Sequence, residues 1–143
     1  MKKLVTILIA LMATLGLYAQ NQSADNIIGK YTSVQDGDKY KVVVTKSANG
    51  TYTGKIYWAN LKNGKPFNVP SGVDVTLTGD DQIVLFSGLK YNADKQRWDS
   101  TKIYDPQRKI RANMQASFSN AKTLKIRGSL AGISETVTWT KID

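Results

Sequence analysis

The chain has 143 residues, 20 Lys and Arg against 11 Asp and Glu, 41% hydrophobic residues, and neither Cys nor His. A length in this range suits one domain. The missing Cys excludes disulfides, thiolate metal sites and Cys nucleophiles, and the missing His removes the commonest general base and transition-metal ligand. With a single Glu, Glu135, the chain reads as non-enzymatic and calls for no cofactor or metal.

The first residues, Met1-Lys2-Lys3, precede the 14-residue, almost wholly apolar run Leu4–Leu17 and then Tyr18-Ala19-Gln20. A basic start, an apolar stretch and a small residue closing it are the three regions of a secretory leader. The run is shorter than the roughly 20 residues a helix needs to cross a bilayer. Cleavage is expected after Ala19, with Ala24 as the alternative. Residues 1–19 thus read as a signal peptide and 20–143 as one domain, exported to the periplasm or beyond and without a transmembrane helix. With no Cys to staple it, the mature chain depends on a packed core.

From Ile27 onward apolar residues alternate with polar ones, and turn residues recur at short intervals. Ile27–Val34 is the first expected strand, ended by Asp36-Gly37. Tyr40, Val42 and Val44 share one face of the second, with Lys39, Lys41 and Thr45 on the other. Asn49-Gly50 is a strong hairpin signal, because both residues tolerate positive φ. In Thr51–Ala59, Tyr52, Ile56 and Trp58 share a face. Asn60–Gly72 is the one long connection. Strands are next expected over Val73–Thr78, Gln82–Phe86 and Arg97–Tyr104. Ile110, Ala112, Met114, Ala116 and Phe118 then alternate with polar residues, as do Leu124, Ile126 and Leu130, and finally Val137 and Trp139. About nine sequential strands joined by tight turns are best satisfied by an all-β, up-and-down antiparallel barrel, with a β-sandwich as the alternative.

Several stretches resemble a known family: Ala24-Asp25-Asn26-Ile27-Ile28-Gly29-Lys30-Tyr31, Leu89-Lys90-Tyr91, Trp98, Lys102-Ile103-Tyr104-Asp105-Pro106, Leu124-Lys125-Ile126-Arg127-Gly128 and Thr138-Trp139-Thr140-Lys141. In this order and spacing they are similar to the exported bacterial domain-of-unknown-function (DUF) family twenty-one forty-seven. The resemblance implies a lipocalin-like (calycin) barrel and export, and no activity. Three departures stand out. Asn68-Val69-Pro70-Ser71 replaces the family's Asn-Pro-Asp loop, Gln107-Arg108-Lys109 follows the Asp-Pro turn where glycine is usual, and the closing strand ends Trp139-Thr140-Lys141 rather than Trp-x-Arg. By the same resemblance, Gly29, Tyr31 and Lys141 are expected to close one end of the barrel, an aromatic ring lying under a cation.

The side chains best suited to line a ligand pocket are Tyr52, Ile56, Trp58, Trp98, Met114 and Trp139, with Tyr104 as a hydrogen-bond donor. An eight-stranded barrel holds either a filled core or one small ligand. Glu135 falls in phase with Ile133, Val137 and Trp139, which places it on the inward face or at the rim, since an unpaired buried carboxylate is prohibitive. Lys109, Arg111, Lys125 and Arg127 alternate out of two adjacent strands and are a candidate basic outer face. The first expectation for function is binding of a small, partly apolar ligand inside the barrel. The second is an envelope interaction module using the basic face for a protein, anionic glycan or lipid; the third is an enzyme of unfamiliar type. Nucleic acid is scarce outside the cytoplasm and is not the partner expected of an exported chain.

Overall fold

The computed structural model describes residues 23–143, and the expected leader over 1–19 lies outside them. The strands are β1 (Gly29–Gln35), β2 (Asp38–Lys46), β3 (Tyr52–Asn60), β4 (Val75–Thr76), β5 (Ile83–Asn92), β6 (Arg97–Asp105), β7 (Ile110–Asn120), β8 (Thr123–Leu130) and β9 (Ile133–Lys141). Eight of them close into an antiparallel barrel in the circular order β1-β2-β3-β5-β6-β7-β8-β9, while β4 adds on to β3. The seam between β1 and β9 is the shortest joint, with Tyr31 opposite Lys141 and Thr32 opposite Thr140. The all-β barrel expected from the alternation is what forms. Helix among the described residues is confined to three 3-10 turns, at Ala24–Ile27, Lys65–Phe67 and Gly79–Asp81.

Tight turns fix the register. Gln35 pairs with Asp38 across Asp36-Gly37, and both turn residues have positive φ (52° and 85°), the primed geometry that matches strand twist. Asn49-Gly50 instead sits in a longer connection between Lys46 and Tyr52, closed by bonds from the Ser47 amide to the Thr51 carbonyl and from the Gly50 amide to the Ser47 carbonyl.

Two irregularities redirect side chains. On β3, Lys41 is opposite Trp58 and Val42 opposite Ile56, so Tyr57 is an extra residue. That bulge moves Trp58 off the face it was expected to share with Tyr52 and Ile56. Its ring lies 4.6 Å from the Lys41 ammonium, and Ala59 and Leu61 take up the buried phase. On β5, Gly54 is opposite Phe86 and Lys55 opposite Val84, which leaves Leu85 as the extra residue and buries two consecutive side chains, Leu85 and Phe86. The strand then runs through Gly88 to Asn92, well past the Phe86 end expected for it, while only Val75–Thr76 of the expected Val73–Thr78 pairs.

The core fills one half of the barrel. Trp139 stacks on Phe86, ring centroids 6.3 Å apart, and meets Tyr31 at a tilt of 48° with centroids 5.9 Å apart. Gly54 permits this, because a Cβ there would fall 2.4 Å from the Phe86 ring. Trp98 packs beside them against Tyr91 and Phe118.

Candidate ligand cavity and its mouth

Above Trp139 the packing stops and a cavity of about 350 Å³ opens toward the β1–β2, β6–β7 and β8–β9 turns. Inward positions of successive strands supply its wall: Val42 and Ile56, Leu85 and Ile103, Ala112, Ile126 and Val137. Small residues create the space, since Ala112 and Gly128 stand where large side chains would fill it. The inward phase turns polar toward the strand ends, with Ser33 and Gln35 on β1, Asp38 on β2, Asp105 on β6 and Glu135 on β9.

The β6–β7 turn, Asp105-Pro106-Gln107-Arg108-Lys109, reaches over this rim. Gln107 Nε2 donates to Asp38 Oδ2 at 3.1 Å and to the Tyr40 hydroxyl at 3.3 Å, both on β2. Arg108 donates from Nη1 and Nη2 to the two Glu135 oxygens on β9 and from Nε to Asp105 at 3.0 Å. In the circular strand order β2 lies across the barrel from the β6–β7 turn, and β9 lies two strands from β7, beyond β8. The two side chains therefore form a polar strap across the mouth. Arg108 holds the Glu135 carboxyl below its usual range and is itself held above its own.

The opposite end is stoppered by the 3-10 turn Ala24–Ile27. Trp98 Nε1 donates to the Ala24 carbonyl at 3.0 Å, the Tyr52 hydroxyl to Asp25 at 2.6 Å, Lys141 Nζ to the Asn26 carbonyl at 2.8 Å, and the Tyr31 hydroxyl to the Ile27 carbonyl at 2.7 Å. Burial and the Asp25 carboxylate push the Tyr52 hydroxyl up to about 12, and burial raises Tyr31 as well. The Tyr52 hydrogen bond, then Lys46, lower Asp25. The C-terminus closes over Gly29 (φ 147°), where a Cβ would meet the Asp143 carbonyl at 2.4 Å and Lys141 Cε at 2.8 Å.

The expected pocket residues thus divide. Ile56, Tyr104 and Trp139 line the cavity. Tyr52 and Trp98 anchor the stopper, Met114 is buried core outside the lining, and Trp58 lies on the other side of β3. Tyr104 stands at the rim with the Arg111 guanidinium 5.0 Å from its ring centre. Gly29, Tyr31 and Lys141 stand together at the stoppered end, and the Lys141 ammonium lies over Phe118, 5.9 Å from its ring centre, rather than over Tyr31 as expected. Its reach to the Asn26 carbonyl, one residue before the Tyr31 hydroxyl's own partner, draws it there. Glu135 is in the inward phase and at the rim.

The four basic residues are exposed but not gathered. Lys125 is opposite Ser117 and Arg127 opposite Gln115, so Arg111 lies roughly 13 Å farther along β7 at about 3.3 Å per residue, and Lys109 sits in the β6–β7 turn. Lys125 and Arg127 hydrogen-bond Thr138 and Ser134 on β9.

Residues missed from the sequence are those of the mouth, above all Gln107 and Arg108. The signal was present in the polar residues that continue the inward phase at strand ends, Asp38, Asp105 and Glu135.

Residues 29–141 match the model of a family described as "Uncharacterized protein conserved in bacteria (DUF2147)". The chain belongs to this family. Its barrel is also similar to the solved structure of HP1028 from the human pathogen Helicobacter pylori, a protein described as belonging to the lipocalin family. The likeness spans 82% of this chain and 83% of that one, with 16% identity and a TM-score of 0.59. At that identity it is a likeness of fold, and the fold is a lipocalin-like barrel. No curated protein matches the chain. Among the described residues no helix is long and apolar enough to cross a membrane.

Proposed function

We propose that the protein is an exported, non-enzymatic carrier whose barrel takes one small, partly apolar molecule. The cavity carries this reading: a largely apolar chamber of about 350 Å³ floored by Trp139, with its charged groups at the mouth. That is the size and lining expected of a small-molecule pocket. A lipocalin-like fold and the leader-like first residues support it. The basic outer face offers less, because its four members are spread along the wall and two are bonded to β9.

Native mass spectrometry of protein purified from the periplasm of its own host tests the reading. A retained small molecule is expected on a chain beginning at Gln20, and Ala112→Phe, which fills the chamber, should abolish retention while the fold survives. An empty protein whose tryptophan fluorescence answers to no amphiphile would overturn the proposal.

A further inference from the structure

Resting on the carrier reading, we infer that the barrel selects amphiphiles with a cationic head group over those with an anionic one. The chain as a whole is basic, with a formal net charge of +9, yet the cavity lining reverses that sign. Asp36, Asp38, Asp105 and Glu135 all line it, against the single cation Arg108. Arg108 is already engaged, by both Glu135 oxygens and by Asp105. Lys62 lies along Gly37, beside Asp36 and Asp38, and its amide donates to Asp38 Oδ1 at 2.9 Å, but it is not part of the lining, whose own balance is four acids to one arginine.

No buried side-chain nitrogen or oxygen among the described residues lacks a hydrogen-bond partner. Every charged side chain of the lining stands at the rim, so selection by charge falls there. There an anionic head must displace a carboxylate from Arg108 and sit among the remaining acids. A cationic head needs no such exchange: it adds a positive charge to a set of four negative ones, beside the Tyr40 ring that also lines the mouth. The apolar tail lies along Val42, Ile56 and Val137 toward Trp139. If a water occupies about 30 Å³, the chamber suits a tail of roughly a dozen non-hydrogen atoms.

Decylammonium, decanol and decanoate, each kept below its micelle concentration, share one tail and differ only in the head. Calorimetric titration should rank them in that order, with the ammonium bound about tenfold or more tightly than the carboxylate at low salt and the gap shrinking as salt is added. In Asp38→Asn/Glu135→Gln, which also loosens the strap, the gap should close: a change common to all three affinities cancels from the ratio, and decanol that still binds shows that the chamber persists. Decanoate binding as tightly as decylammonium, or decanol matching decylammonium, overturns the charge selection and leaves the carrier reading standing. Binding of none of the three overturns both.

Discussion

The two ends of the barrel are closed by the same device, side chains reaching across the molecule, in opposite surroundings. At the stopper, Trp98, Tyr52 and Tyr31 are each no more than 1% exposed, and with Lys141 they grip four consecutive residues. At the mouth, Gln107 reaches across to β2 and Arg108 reaches past β8 to β9, but the side chains of Arg108 and Glu135 are 56% and 58% exposed. A buried donor whose partner is removed leaves a polar group stranded away from water, whereas an exposed ion pair exchanges its partner for solvent at little cost. Burial, rather than the number of bonds, separates an end whose contacts are sealed from one whose contacts water can replace.

The largest effect should follow from emptying the stopper. Trp98→Ala removes a ring in contact with Tyr91 and Phe118 together with the bond to the Ala24 carbonyl. Loss of a buried aromatic costs about 3–5 kcal/mol, and denaturant unfolding should show it. A loss below about 1 kcal/mol would mean that the stopper is dispensable. Tyr31→Phe is gentler, since the ring stays against Trp139 and only the hydroxyl on the Ile27 carbonyl goes. About 1–3 kcal/mol is expected, with the fold preserved in the circular dichroism spectrum.

The contrast between the ends also explains what the sequence could and could not show. Strand alternation is local, so β7 and β8 are legible residue by residue, and so is the inward phase of Glu135. Trp58 is not, because the bulge at Tyr57 exists only through pairing with β2. The strand expected over Gln82–Phe86 stops short of Gly88, where a positive φ of 70° lets β5 bend and continue to Asn92. Tyr52 and Trp98 look like pocket aromatics until their partners, 27 and 74 residues away, are in place. Gln107 and Arg108 are visible in sequence only as a departure after the Asp-Pro turn, and their partners on β2 and β9 become neighbours only when the barrel closes.

Alkaline pH should loosen the stopper by a smaller amount. The folded-state value of Tyr52 is raised to about 12, chiefly by burial and then by Asp25. An acid raised in this way contributes stability in full below its unfolded value of about 10 and loses it as pH climbs through about 12. Burial holds the Lys141 ammonium below its usual range, so its earlier deprotonation relieves a desolvation cost and offsets part of the loss. The thermal midpoint should fall between about pH 10 and 12 in step with tyrosinate absorbance, and Tyr52→Phe should remove part of that slope.

The smallest stability effect belongs to the mouth, where kinetics should respond instead. Arg108→Ala severs the strap from β9 but strands nothing, because Glu135 and Asp105 regain water. The thermal midpoint should stay within about 1 °C of the parent. Decanol, which carries no charge to confuse the reading, should leave the chamber several-fold faster by stopped-flow tryptophan fluorescence. Acid should reproduce the effect in the unaltered protein. Arg108 lowers the Glu135 carboxyl, so the pair is whole above the ordinary glutamate value and is lost only as pH falls beneath it, below about pH 4. Asp36, Asp38 and Asp105 face the same mouth, and Gln107 stays bonded to Asp38 and Tyr40 when the Arg108–Glu135 pair is lost. Decanol exit should therefore quicken below about pH 4 in the parent and more weakly in Arg108→Ala, whose β9 contact is already gone. Equal acid acceleration in both would mean that the Arg108–Glu135 pair does not control exit. Unchanged exit in Arg108→Ala at neutral pH would mean that the mouth stands open and that its strap is merely surface.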